Sequence, residues 1–241
     1  MRPERSDRTE RLIGAEGVDR LSRASVMIFG IGGVGGYVLE ALARAGVGEL
    51  WLVDFDTVSE SNCNRQLLAL TETVGRKKTE VAAERVRSIN PDAVVHTVSQ
   101  FADAALIGEL FSMASPSYVV DAIDTVKSKL AIISEARSRK IRVISCMGTG
   151  NKLDPSRFVI GDLAASRVCP LARVMRAETR RLGISGVTAL WSTEEPCKAV
   201  AENINGRHSP ASISYVPAVA GLLIGGYVIR ELSGINVERN G

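Results

Sequence analysis

SVMIFGIGGVGGYVLEALARAGVGELWLVDFD, residues 25–56, decides the fold. SVMIFGIG is an apolar run of the length of a buried strand. VGGYVLEALARAGVG follows with helical period and stops at glycine. GELWLVDF is the next strand. Between the first strand and the helix lies GIGGVG, residues 30–35, which matches G-x-G-x-x-G. In that setting Gly30 permits the tight turn, Gly32 lets the backbone approach a phosphate, and Gly35 allows close packing of helix on strand. The helix N-terminus adds free N–H groups and the positive end of its dipole. Asp54 lies 19 residues after Gly35, placed to accept hydrogen bonds from ribose hydroxyls.

The rhythm continues outward. RKKTEVAAERVRSINP (76–91) reads as a helix, with Val81, Val86 and Ile89 on one face. AVVHTVS (93–99) is a strand, DAALIGELFSMA (103–114) a helix, and SYVVDAID (117–124) a strand. KSKLAIISEARSRK is a helix and IRVISCMG (141–148) a strand. This alternation predicts an α/β fold: a Rossmann-like, doubly wound, mostly parallel sheet with helices on both faces. Past Gly150 the pattern loosens into RFVIGDL, a basic helix, GVTALWS, a polar loop at 193–210 and a final apolar helix. These C-terminal strands and helices extend the same sheet. The expectation is a single domain, 1–241, with a solvated helical arm (1–24), a nucleotide-binding half (25–150) and a substrate-side half (151–241).

Composition narrows the function. The chain of 241 residues is 45% hydrophobic and 24% charged, which suits a folded soluble globule. A net charge of +3 does not by itself name a nucleic-acid binder. Cys63, Cys146, Cys169 and Cys197 form no C-x-x-C pair, which argues against a paired-cysteine zinc site and a disulfide scaffold. Cys63 is expected to pack within its motif, and Cys169 and Cys197 to lie on looser, exposed segments. With no signal peptide apparent, the cytoplasm is the expected compartment. The most apolar run, Val216 to Ile229, has 14 residues, including Pro217 and three glycines. It reads as a buried helix and not as a membrane span.

The strand ending at Val53 runs into VDFDTVSESNCNRQ, residues 53–66. Asp54 and Asp56 are followed by Asn62, Asn64, Arg65 and Gln66, then by Lys78 at the start of the next helix. Asp124 closes the fourth strand. In a doubly wound sheet these strand ends open onto one crevice. A glycine loop holds the pyrophosphate of NAD nearly alone, whereas a triphosphate needs further cations. Arg65 and Lys78 supply them, and Asp124 suits a magnesium ion. No histidine or tyrosine–lysine pair offers itself for hydride transfer, and His96 reads as a satisfied sheet residue. A nucleotide sensor without turnover is disfavoured by Arg65, Lys78 and Asp124 occurring together.

GIGGVG, VDFDTV, SNCNRQ, VGRKK and VVDAIDT together resemble the ubiquitin-activating-type adenylating enzymes, which include the adenylyltransferases of thiamine and molybdopterin biosynthesis. The resemblance covers about residues 5–150. It implies binding of ATP and Mg2+ and transfer of AMP to a carboxylate. It places Gly30, Gly32, Gly33, Gly35, Asp54, Asp56, Asn62 and Gln66 on the nucleotide, with Asp54 on the ribose. It puts Arg65 and Lys78 on the phosphates, Asp124 on the metal, and Arg11 on the γ-phosphate of the other subunit of a homodimer. GTGNKLDPSRFVIGDL, CPLARVMRAETRRLG and WSTEEP are similar to the tRNA threonylcarbamoyladenosine dehydratases. That likeness implies a substrate in ANN-reading tRNAs, the modified adenosine beside the anticodon, whose threonine carboxylate is closed into a ring. Members often carry a cysteine shortly before S-T-E. GVTALWSTE has none, which fits adenylation without a protein thioester.

Two further partners enter as alternatives: a ubiquitin-like sulfur carrier adenylated on its C-terminal glycine, and a docking sulfur-relay protein. For tRNA, Arg173, Arg176 and Arg180 form a stripe on the helix 170–182, with Arg181 beside it. A solvated charged face is the other reading of that stripe. Arg137, Arg139, Lys140 and Arg142 form a second cluster, read mainly as surface charge. No aromatic platform for stacked bases is apparent.

Overall fold

The computed structural model describes residues 4–197 and 210–235, with the backbone of 203–204 and 207–208. Part of the expected polar loop, residues 198–202, 205–206 and 209, therefore lies outside the described residues. In chain order the elements are α1 (Asp7–Ser22), β1 (Ser25–Phe29), α2 (Gly35–Arg44), β2 (Glu49–Val53), α3 (Lys78–Ile89), β3 (Val94–Val98), α4 (Ala104–Met113), β4 (Tyr118–Asp121), α5 (Val126–Ser138) and β5 (Arg142–Cys146). Then come β6 (Phe158–Asp162), α6 (Pro170–Arg181), β7 (Thr188–Ser192), the short pair β8 (Asn203–Ile204) and β9 (Arg207–His208), and α7 (Tyr215–Ser233).

Seven strands form one sheet in the order β3-β2-β1-β4-β5-β7-β6. All neighbours pair in parallel except β6, which runs antiparallel to β7 with Ile160 opposite Leu190. The connections leave β1 on one side towards β2 and return on the other to β4. The crevice of a doubly wound sheet opens at that reversal, outside the strand C-termini. Side chains along β1 alternate between two cores. Val26 and Ile28 meet Val38, Leu42 and Ile224 on one face, while Met27 and Phe29 meet Ile107, Phe111 and Ile132 on the other. Burial on both faces explains why the strand reads as a continuous apolar run.

The final helix is buried on one face, as expected. Val216, Ala220, Ile224 and Val228 are enclosed, and Leu222 and Leu223 are exposed. Among the described residues, Tyr215–Ser233 alone is long and apolar enough to cross a membrane, and half of that stretch is buried inside the protein. Two glycines let it lie close to α2. A Cβ on Gly221 would sit 2.4 Å from the Val34 carbonyl oxygen, and one on Gly225 would sit 2.6 Å from the Ala41 Cβ.

The N-terminal arm corrects the expectation of a wholly solvated helix. It kinks at Gly14, whose φ is 74°, and beyond the kink Gly17, Val18 and Leu21 are buried. Helical period cannot show which turn of a charged helix docks. The polar loop also differs from expectation, because it contains the antiparallel pair β8–β9.

Candidate active site

The crevice is a cleft of about 480 Å3 lined by the glycine loop and by the ends of β2, β3 and β4. The loop is shaped as its glycines demand. Gly30 has φ 86°, and a Cβ there would lie 2.8 Å from the Ala122 carbonyl oxygen. A Cβ on Gly35 would lie 1.7 Å from the Gly30 carbonyl oxygen, so only glycine fits. Gly32 lines the cleft, and its nearest neighbour on the Cβ side is Gln66 Nε2, at 3.7 Å. Gly33, by contrast, faces Pro217, which a Cβ there would approach to 3.2 Å, and is not part of the cleft lining. It packs against α7. The start of α2 carries no side-chain cap; the Gly36 and Tyr37 N–H groups are taken by the Gly32 and Val34 carbonyls, which leaves the loop N–H groups before them, up to Gly35, to face a ligand.

Asp54 is 9% exposed at the cleft floor. Its Oδ2 accepts the Ile31 N–H at 2.6 Å and its Oδ1 the Asp56 N–H at 2.9 Å. Burial pushes the Asp54 carboxyl above its ordinary range, and the nearby Lys78 charge and the two N–H donors oppose that shift. Lys78 is itself buried, and its Nζ donates to Asp56 Oδ2 at 2.8 Å. Asp56 stands half open to solvent. Asn62 builds the turn that carries Arg65. Its Oδ1 accepts the Ser59 N–H at 3.3 Å, and its carbonyl accepts the N–H groups of Arg65 and Gln66. Arg65 and Gln66 line the cleft. The Arg65 guanidinium spends one nitrogen on Ser61 O and Asn64 Oδ1, both at 2.8 Å. Asp124 is exposed at the cleft mouth, where its carboxylate accepts a 3.4 Å bond from the Thr125 hydroxyl. Among the described residues no group of three or more metal-ligating side chains forms. A magnesium ion is commonly held by one or two carboxylates and the substrate's own phosphates, and the exposed Asp124 at the cleft suits that mode, whereas the Asp56 carboxylate is engaged by Lys78. Arg11 is exposed on the first half of α1 and does not line this cleft.

A sequence model of the ThiF family matches residues 6–240. The chain belongs to the ThiF family. The tRNA threonylcarbamoyladenosine dehydratase of Bacillus subtilis (strain 168) is 38% identical to it, across 96% of each chain. The crystal structure of the E. coli tRNA N6-threonylcarbamoyladenosine dehydratase in complex with ATP superposes with a TM-score of 0.87 at 33% identity, covering 99% of this chain and 97% of that one. Likeness to the molybdopterin-synthase adenylyltransferase of Salmonella typhimurium (strain LT2) is also 38% identity, but over 54% of this chain and 51% of that one.

Some features of this ThiF-family site escaped the sequence. Phe55 and Phe101, at the ends of β2 and β3, meet edge to face at 5.2 Å on the cleft wall, both largely exposed. They are an aromatic surface where none was expected. Beneath the cleft, Asp121 and Lys129 form a fully buried ion pair at 2.9 Å. Ser145 Oγ donates to the same Asp121 oxygen at 2.5 Å, and the Ile123 N–H reaches its other oxygen at 3.3 Å. Two acids three residues apart in VVDAID were the available signal, with a lysine on the buried face of the following helix.

The cysteines exchange two of their expected places. Cys63 is exposed and does not pack within its motif; Cys169 is buried at the start of α6. Cys197 is exposed, as expected. Cys146 is buried, and loss of hydration pushes its thiol up to about 12. Two of the four thiols are therefore expected to react with a maleimide at neutral pH, Cys63 and Cys197, and all four once the chain is unfolded. Peptide mass mapping reads the outcome, and rapid labelling of Cys146 in the native protein would contradict it.

The arginine stripe on α6 is narrower than its spacing implies. Arg176 turns inward to donate to Ser166 Oγ at 2.6 Å, and Arg181 pairs with Glu178. Arg173 and Arg180 remain exposed. In the second cluster Arg139 binds Glu135 and the Phe111 carbonyl. Arg142 binds Glu231 and lies 5.3 Å over the Tyr118 ring. His96 pairs with Glu49 at 2.9 Å and stacks on Trp51, the satisfied sheet residue expected.

Proposed function

We propose that this chain uses ATP to adenylate the threonine carboxylate of N6-threonylcarbamoyladenosine in tRNA and then dehydrates it to a cyclic form. The observation that carries the proposal is the extent of likeness. It spans 96% of the Bacillus subtilis dehydratase and 97% of the E. coli dehydratase structure, through a second half without C-x-x-C pairs, but only 51% of the molybdopterin-synthase adenylyltransferase.

The cleft residues fit the first step. Gly32 and the start of α2 cradle phosphate, and Asp54 accepts from the ribose. Arg65 and Lys78 neutralise phosphate oxygens, and Phe55 with Phe101 offers a surface for the adenine. A carboxylate oxygen attacks the α-phosphorus and pyrophosphate leaves, giving an acyl-adenylate. Magnesium, held at Asp124, would neutralise phosphate charge. An atom of the substrate's own urea then attacks the acyl carbon and loses its proton, and AMP departs with the former carboxylate oxygen. That ring closure is intramolecular, so positioning supplies about 7–11 kcal/mol of the barrier. No protein nucleophile takes part, in keeping with the buried and unreactive Cys146.

The acting species in this reading is a cytoplasmic homodimer. Arg11 of the partner subunit completes the phosphate site. Leu12, next to it and 84% exposed, gives the arm an apolar residue for that contact. The substrate tRNAs are those reading ANN codons. The proposed chemistry draws no sulfur from the sulfur-relay protein considered as a docking partner.

Incubation of purified protein with ATP and threonylcarbamoylated tRNA, followed by nucleoside mass spectrometry, tests the proposal. Loss of one water from the modified adenosine is the expected result. Unchanged tRNA, alongside AMP transfer to a ubiquitin-like carrier, would replace it with the alternative.

A further inference from the structure

The turn from Ala122 to Asp124 has a second side. It is the wall shared by the nucleotide cleft and a neighbouring cavity of about 380 Å3. That volume lies within the range of small-ligand pockets, about 300–1,000 Å3. Met147, Leu171, Pro196 and Pro210 give the cavity apolar sides. Two features favour negative charge there, set against the exposed Asp124 carboxylate, which also lines the cavity at its shared wall.

The first is Lys152, which lines the cavity and is 4% exposed. Its Nζ donates to the Glu194 carbonyl oxygen at 2.7 Å. The Glu194 carboxylate is turned elsewhere and accepts the N–H groups of Leu153 and Asp154 at 2.8 and 3.0 Å. Among the described residues, Lys152 forms no ion pair with a carboxylate. A buried ammonium with a single neutral acceptor is costly unless an anion joins it.

The second is the start of α6. Its N-cap residue, Cys169, makes no side-chain cap, and Pro170 has no N–H to satisfy. Cys169, Pro170 and Leu171 all line the cavity. The helix is 12 residues long, and the positive end of its dipole meets the same space as Lys152.

We infer that this cavity binds the carboxylate-bearing arm of the acceptor, an amino-acid carboxylate joined through a urea. Lys152 and the start of α6 hold the anion, and the apolar walls take the aliphatic side chain. The carboxylate is thereby presented across the Ala122–Asp124 turn to the α-phosphate. This deepens the reading given under Proposed function and rests on it for the identity of the arm. The site itself is tested separately.

N-carbamoyl-L-threonine is the probe for the cavity, with its carboxamide as control. Calorimetry with protein saturated with a non-hydrolysable ATP analogue is expected to detect the acid and not the amide. Lys152→Met is expected to weaken acid binding by about 10- to 100-fold, the loss of one hydrogen bond to a charged group, with ATP affinity unchanged. Lys152→Arg should restore most of the binding. Leu171→Trp fills the cavity while keeping the lysine and should abolish binding as well, which guards against misfolding of either variant; melting temperatures check both. Equal binding of acid and amide, no binding of the acid, or an unchanged affinity in Lys152→Met overturns the inference. Failure of the wild type to dehydrate tRNA would instead remove the functional reading and leave the binding result standing.

Discussion

Arg65→Ala is expected to slow ATP-dependent dehydration of the modified tRNA by about 10²–10³-fold, the usual loss when one donor to developing charge is removed. Folding should be nearly untouched. Arg65 is half-buried, and its hydrogen bonds go to Ser61 and Asn64 of its own turn. Among the described residues nothing beyond that turn hydrogen-bonds the guanidinium, which leaves its remaining donors for phosphate. Lysine at this position should recover only part of the rate. It brings the charge but not the planar fork that grips two oxygens. Initial rates from nucleoside mass spectrometry, with melting temperatures alongside, separate the two effects. A rate within about threefold of wild type, for a variant that still binds ATP, would remove Arg65 from the chemistry.

Asp121→Ala should act on the fold. It strands the Lys129 ammonium at zero exposure and removes the acceptor of Ser145 Oγ and of the Ile123 N–H. Breaking one partner of a buried pair costs about 3–5 kcal/mol. For a domain of this size that is a fall in melting temperature of roughly 6–20 °C. Replacing both partners, Asp121→Leu with Lys129→Met, should return much of the loss, because a packed apolar pair needs no compensation. A single variant that melts within about 2 °C of wild type would mean that the network is not carrying the turn above it.

The nucleotide half of the fold was open to sequence reading for identifiable reasons. β1 is apolar on both faces, and the loop after it has glycines where a Cβ would strike the Ala122 or Gly30 carbonyl. Local pattern and backbone sterics coincide there. Arg65, Lys78, Asp54 and Asp124 also follow from topology, since parallel strand ends meet in one crevice. β6 was legible as a strand but its direction was not. A period of two carries no sense of orientation, and β6, α6 and β7 follow the order that elsewhere in this chain gives a parallel crossover. The exposures of Cys63 and Cys169 inverted for a similar reason. A Cβ on Gly148 would come within 3.7 Å of the Cys169 sulfur, a packing contact made by residues far apart in sequence. The Phe55–Phe101 pair likewise joins two loops that only the sheet order makes neighbours.

The contact between Lys78 and Asp56 has a consequence for turnover. The ammonium is already occupied by an acid that stands half in solvent, so under the proposed function an arriving phosphate would displace a resident anion and not meet a bare charge. Affinity for nucleotide is lowered by that exchange. In that reading the same acid can pair with Lys78 again as pyrophosphate and AMP depart, which would ease their release. Under the proposed function the site thus keeps its own stand-in ligand between cycles.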